Sequence, residues 1–205
     1  MVSLLKVMWK LKVPPKIKIF VWWLIISRMP TKDQLISRGV TNISTNHIIE
    51  FCRIHPETLN HLFFLCQVLK MIWGWILSWL GDGIHLTIEE LMDFGSIQEK
   101  VKNANVRNKI NTIWIATTWS LWLMRNAMIF ENVSYSFDVL CSNMLFLYWR
   151  WLACSNPLSL SSFYDWYKLP LECRGSRFDL VQFQQKFVLF YQPIVPLDLS
   201  IMESP

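Results

Sequence analysis

Between Cys52 and Cys66 the sequence reads CRIHPETLNHLFFLC. Two thiols, two imidazoles (His55 and His61) and the carboxylate of Glu57 fall within this one stretch. Thiolate sulfur and imidazole nitrogen are the donors a structural zinc ion takes, four of them in a tetrahedron. A chain that brings such groups together must fold a tight turn around them. The spacing is Cys-x8-His-x4-Cys, so Cys52, His61 and Cys66 supply three ligands. His61 and Cys66 lie about 140° apart on a regular helix. They can face one metal only if the helix ends or deforms near Leu65, and the three donor atoms should then converge within about 4 Å. The plainer alternative is that Cys66 is a small buried hydrophobe and His61 a capping or hydrogen-bonding group.

The rest of the chain is apolar. Apolar residues make up 53% of the 205 and charged residues 17%, with twelve Trp and only six Gly. That balance argues for helices with large buried faces, not for a disordered or loop-rich chain. The tryptophans Trp22, Trp73, Trp119 and Trp122 fall at helical spacings and read as core before base-stacking platforms. Five cysteines at wide spacing (Cys52, Cys66, Cys141, Cys154, Cys173) make no secreted disulfide framework. No signal peptide is visible, because Lys and Pro interrupt the start. An intracellular place, nucleus or cytoplasm, is expected. The uncharged run Ile110–Met124 carries Asn111, Thr112, Thr117, Thr118 and Ser120 and is shorter than a span needs. It reads as a buried helix that a hydropathy window could flag, and no membrane partner is expected.

Positive charge concentrates early. Residues 1–40 hold Lys6, Lys10, Lys12, Lys16, Lys18, Arg28, Lys32 and Arg38 against the single acid Asp33. Such a bias suits a polyanion through phosphate neutralisation; a solvated face is the alternative. The nucleic-acid-binding candidates are Lys10, Lys12, Lys16, Lys18, Arg28, Lys32 and Arg38.

Residues 1–15 read as an extended basic lead-in, since Pro14 and Pro15 forbid a helix through them. A helix begins at Lys16, with Phe20, Trp23, Leu24 and Ser27 on one face, Ile17, Val21 and Trp22 widening it, and Pro30 ending it. Thr31 to Gln34 fits a capping box and Gly39 a C′ residue, so PTKDQLISRG is a short helix. Residues 40–51 read as a connector with a turn at Asn42–Asn46. The chain is helical again from about Thr58 to Leu80 and stops at Gly81-Asp82-Gly83. Thr87 to Glu90 is a second capping box, opening a helix to Phe94. Residues 97–131 form one long helix or two, and Ser136 caps a last helix to about Ala153. Glu57 reads as a charge complementing a helix N-terminus before a catalytic acid. In the tail, Phe178–Tyr191 fits a strand or a helix.

These residues carry a family resemblance. Trp9, Pro14-Pro15-Lys16, Phe20-Val21-Trp22, Pro30-Thr31, Leu35, Arg38-Gly39, Cys52, Glu57-Thr58, His61-Leu62-Phe63, Cys66 and Trp73 succeed one another as in a known pattern. Over about residues 9–73 the chain resembles the zinc-binding segment of plant LINE-type (non-LTR) retrotransposon reverse transcriptases. Trp119-Ser120-Leu121-Trp122, Arg125-Asn126, Ile129-Phe130 and Trp149-Arg150-Trp151-Leu152 are similar to the residues downstream of that segment in such elements, and the likeness ends near residue 157. The resemblance implies a Cys-Cys-His-Cys ligand set whose first cysteine would fall at Ile49. His47 or His55, or water, is then the fourth zinc ligand beside Cys52, His61 and Cys66.

The expected fold is mainly α: a small helical Cys/His module (9–80), a longer helical region (84–153) and an irregular tail (154–205). No paired-Asp polymerase motif, P-loop, dinucleotide fingerprint, HExxH or nucleophile elbow is present. The resemblance implies a non-catalytic, zinc-binding-like accessory module left from a retrotransposon reverse transcriptase, one that grips RNA or DNA through the basic face of residues 1–40 and takes no small-molecule substrate. The alternatives are a helical interaction protein, or a decayed element fragment, without metal or nucleic acid.

Overall fold

The structure is a computed structural model that describes residues 2–40, 47–81 and 84–155, and side chains from residue 4 to residue 152 of these. The expected turn at 42–46, Asp82 and Gly83, and the tail beyond 155 lie outside the described residues. The fold is mostly helical, and no strand occurs among the described residues.

The first helix corrects the sequence reading. Residues Val2–Lys10 form α1 where an extended lead-in was expected. The prolines restrict only their immediate neighbours. Upstream, Met8 is fully buried while Lys6 and Lys10, one turn apart, face solvent. Pro15 then occupies the first position of α2 (Pro15–Ile25), where a missing N–H costs nothing. Ile17, Phe20, Val21 and Leu24 are its buried stripe. It ends before Pro30, at Ser27, which takes the left-handed conformation (φ 56°). The Arg28 N–H donates to the Trp23 carbonyl at 2.8 Å and the Ser27 N–H to that of Leu24 at 3.2 Å. This is the Schellman arrangement, made here without glycine.

Helix α3 (Lys32–Ser37) closes with the same arrangement at Gly39, φ 71°. Its N-terminal capping box does not form. The Thr31 hydroxyl donates to Asp33 instead, and the free Lys32 N–H donates to the distant Glu57 carboxylate at 2.9 Å. Downstream come α4 (Gln67–Leu80), α5 (Ile88–Met92), α6 (Phe94–Lys100), α7 (Ala104–Phe130) and α8 (Phe137–Ser155).

The Thr87–Glu90 box forms in both directions. Asp93 caps α6 through the Gly95 and Ser96 N–H groups, and Asn103 caps α7. The Ser136 hydroxyl accepts the Val139 N–H at 3.4 Å at the start of α8. The 97–131 stretch is thus two helices, parted at Val101–Asn103.

Helix α7 is the axis. From Ile110 to Ala127 nearly every side chain is buried. Its threonine hydroxyls are satisfied within the helix: Thr112, Thr117 and Thr118 donate to the carbonyls of Asn108, Ile113 and Trp114, whereas the buried Ser120 hydroxyl has no protein partner. No helix among the described residues is long and apolar enough to cross a membrane. The Phe20 and Trp119 rings meet edge to face, 5.0 Å between centroids, joining α2 to α7. One continuous core runs from Met8 to Trp151. Trp73, Trp119 and Trp122 lie in it as expected, but Trp22 does not: it is well exposed on α2.

Candidate metal centre

The segment from His47 to Glu57 folds back on itself as a narrow knuckle. The Ile49 N–H donates to the His55 carbonyl at 2.9 Å and the Glu57 N–H to the His47 carbonyl at 2.8 Å. Ile48 and Pro56 form the bridge between its two limbs. Arg53, in the left-handed region at φ 54°, turns the tip. Lys32 pins the knuckle to α3, its ammonium donating to the Ile48 carbonyl at 2.7 Å and to Glu50 at 2.9 Å. Cys52 sits at the tip, half-buried.

The chain then enters a π-helical turn, His61–Leu65, and breaks at Cys66, whose backbone is extended (φ −62°, ψ 126°). The Cys66 N–H donates to the His61 carbonyl, five residues back, at 3.1 Å. This is the deformation near Leu65 that the spacing of His61 and Cys66 demands. The wide turn frees the Phe63 carbonyl, which accepts the Trp73 indole N–H at 2.9 Å. The tryptophan of the motif therefore repairs the backbone of the turn that sets the histidine and cysteine.

Donor atoms of Cys52, His61 and Cys66 all lie within 4.8 Å of one another. The Cys52 sulfur is 3.5 Å from His61 Nε2 and 4.0 Å from His55 Nδ1. The His55 and His61 rings are 5.0 Å apart. His55 thus stands beside the trio on the Cys52 side, whereas His47 is exposed and outside it. Ile49 is fully buried in the core, at the position where the resemblance implies a first cysteine.

Electrostatics separate the two thiols. Burial opposes the Cys52 thiolate, but the His55 and Ile54 amides and the His55 and His61 rings outweigh it and hold the thiol down to about 6. Burial pushes the Cys66 thiol up, and the Leu69 and Val68 amides offset only part of this. Two sulfurs and an imidazole nitrogen are donors that zinc accepts. On that chemistry the residues fit the metal, with His55, 4.0 Å from the Cys52 sulfur, at hand for a fourth position.

Residues 1–73 match the family model for zinc-binding in reverse transcriptase. The match supports a reverse transcriptase zinc-binding domain over this segment. It begins at residue 1, so it includes α1, and it ends at Trp73. No curated protein matches the chain, and no solved structure does. The zinc-binding segment does not bury its own charges unaided. Glu57, fully buried within it, pairs with Arg125 on α7, beyond its end.

The basic residues divide. Lys10, Lys12, Lys16, Arg28 and Arg38 are exposed. Lys32 is not free for a phosphate, because Ile48 and Glu50 hold it. Lys18 donates to the Trp9 carbonyl at 2.8 Å. Sequence reasoning missed the pairing of Glu57 with Arg125, and no local signal marks it.

Proposed function

We propose that this protein is a non-catalytic nucleic-acid-binding module of the reverse transcriptase zinc-binding kind, derived from a plant LINE-type retrotransposon. Cys52, His61 and Cys66 hold a zinc ion, with His55 or water as the fourth ligand. The zinc is structural: it ties the knuckle tip to the start of α4, so that binding and folding are coupled. The exposed basic side chains of residues 1–40 then grip RNA or DNA. The observation that carries this reading is the meeting of three soft donors within 4.8 Å inside the segment matched by a zinc-binding family. A non-catalytic role accords with the absence of a polymerase or hydrolase motif in the sequence. An intracellular place accords with the role.

Elemental analysis of the purified chain tests the metal. About one zinc per chain, lost in Cys66→Ser, is expected for a structural site. Well under one zinc, unchanged by Cys66→Ser, overturns it. Oligonucleotide affinity that falls steeply with salt is expected of the grip; affinity indifferent to salt counts against it.

One observation favours a second reading, a metal-free helical interaction protein. Ile49 fills with hydrocarbon the position of the missing thiol. That reading expects folding indifferent to chelator, where the zinc reading expects partial unfolding.

A further inference from the structure

Trp9 is 49% exposed, Ile19 43% and Trp22 39%. Large aromatic side chains dominate cores, and this protein buries most of its own. Trp9 and Trp22 are left partly in solvent on adjacent helices, as Phe130 is at the end of α7. Lys18 links the two tryptophans. Its ammonium lies 6.0 Å from the centroid of the Trp9 ring and donates to the Trp9 carbonyl. On α2, Lys18 and Trp22 are one turn apart and therefore neighbours on the helix surface. Lys10 and Lys16, both exposed, flank the group. No acid occurs in residues 1–32.

The arrangement has two elements. Trp9 and Trp22 each leave part of the indole side chain in solvent, and the Lys18 ammonium lies over the Trp9 ring. An unpaired base presents a π-face to the first, and its phosphates meet the second. A base pair inside a duplex keeps its faces stacked on its neighbours and offers only phosphates. We infer that Trp9, Lys18 and Trp22 form a stacking platform for a single-stranded polynucleotide, with Lys10 and Lys16 along the phosphate track. This rests on the nucleic-acid-binding reading above and gives it a surface and a strand preference. The positive charge selects this occupant over an apolar peptide, and it opposes a second copy of the same basic face.

The test uses the full chain and two labelled probes, a single-stranded oligothymidine and a duplex of equal length, followed by fluorescence anisotropy across a salt series. The variants are Trp9→Ala, Trp22→Ala, their double and Lys18→Ala, each checked for an unchanged helical circular dichroism spectrum. Since both tryptophans are partly in solvent, Trp9→Leu and Trp22→Leu serve if an alanine variant fails to fold. Each tryptophan variant is expected to lose about 5-fold or more in single-strand affinity, as for one stacked base, with little change on duplex. Equal losses on both probes, or none, overturn the platform and leave the general reading standing. Wild-type protein that binds neither probe overturns both. Self-association of the wild type that the double variant abolishes, with oligothymidine binding unchanged, assigns the surface to a second copy and also overturns the platform.

Discussion

The Glu57 carboxylate and the Arg125 guanidinium, 68 residues apart, form a fork-to-fork ion pair inside the core. Arg125 Nη2 donates to Oε1 at 2.6 Å and Nε to Oε2 at 3.2 Å. Both side chains are almost completely buried. The same carboxylate accepts the first N–H of α3, and the guanidinium lies 4.9 Å from the centre of the Trp122 ring. One residue of the knuckle therefore fixes both the short helix that precedes it and the long helix behind it.

Breaking this pair from one side strands a charge without water. Arg125→Ala and Glu57→Ala are each expected to lower unfolding free energy by about 3–5 kcal/mol. The double variant Glu57→Ala with Arg125→Ala removes both charges at once, and its loss is expected to fall well short of the sum of the single losses. Urea denaturation of the four proteins checks this; additive losses would show that the two side chains act independently.

Restoring the thiol that the family resemblance implies should separate the two readings of the metal centre. Ile49→Cys removes buried hydrocarbon, so the metal-free variant is expected to be less stable than the parent, by about 1–3 kcal/mol. With zinc the order should reverse, because a fourth thiolate completes the shell. Melting temperatures with zinc and with chelator measure it. A variant destabilised equally in both conditions speaks against Ile49 occupying a ligand position.

Asp93 gives a pH signature outside the metal centre. Burial raises its carboxyl, but the Ser96 hydroxyl and the Ser96 and Gly95 amides outweigh this and leave it below its ordinary value. A carboxyl lowered on folding contributes stability that is present above its unfolded pKa and disappears as pH falls through the folded one. Asp93→Ala is expected to cost about 1 kcal/mol near neutrality as the cap is lost. The difference from the parent should shrink below about pH 4, since the unfolded aspartate titrates at about 3.9. A difference that stays constant into acid would deny the cap its charge.

The thiols should react in a fixed order. Cys52 is held down to about 6, whereas burial and then Asp138 push Cys141 up to about 12. In chelator at neutral pH, alkylation is expected to mark Cys52 before Cys66, and Cys141 only on unfolding. Peptide mapping of a time course reads the order, and comparable rates at these positions would contradict it.

The features legible in the sequence were mostly short-range. The box at Thr87 and Glu90 and the Gly39 terminus depend on residues a few positions apart, and both formed. The break before Cys66 came from the angular spacing of two residues on a helix. The box at Thr31 does not form, since the Thr31 hydroxyl is turned to Asp33, and Glu57, brought in from far along the chain, accepts the first N–H of α3. Helix α1 is not legible locally, because the feature that marks it in the fold is the burial of Met8, a tertiary contact. Helical spacing places Trp22 in the core, yet Ile17, Phe20, Val21 and Leu24 already fill the inner side of α2. Arg125 was visible only as part of a motif; nothing beside it announces its partner.

The wide turn between His61 and Cys66 has a consequence for how this segment can vary. Its length sets the phase of everything after it. One residue gained or lost there would rotate α4 by about 100° and swing Leu69, Ile72, Trp73 and Ile76 out of register with their neighbours. Point changes on the outer side of the turn, where Leu65 meets solvent, leave that phase alone. Tolerance to substitution and intolerance to insertion should thus coexist within five consecutive positions.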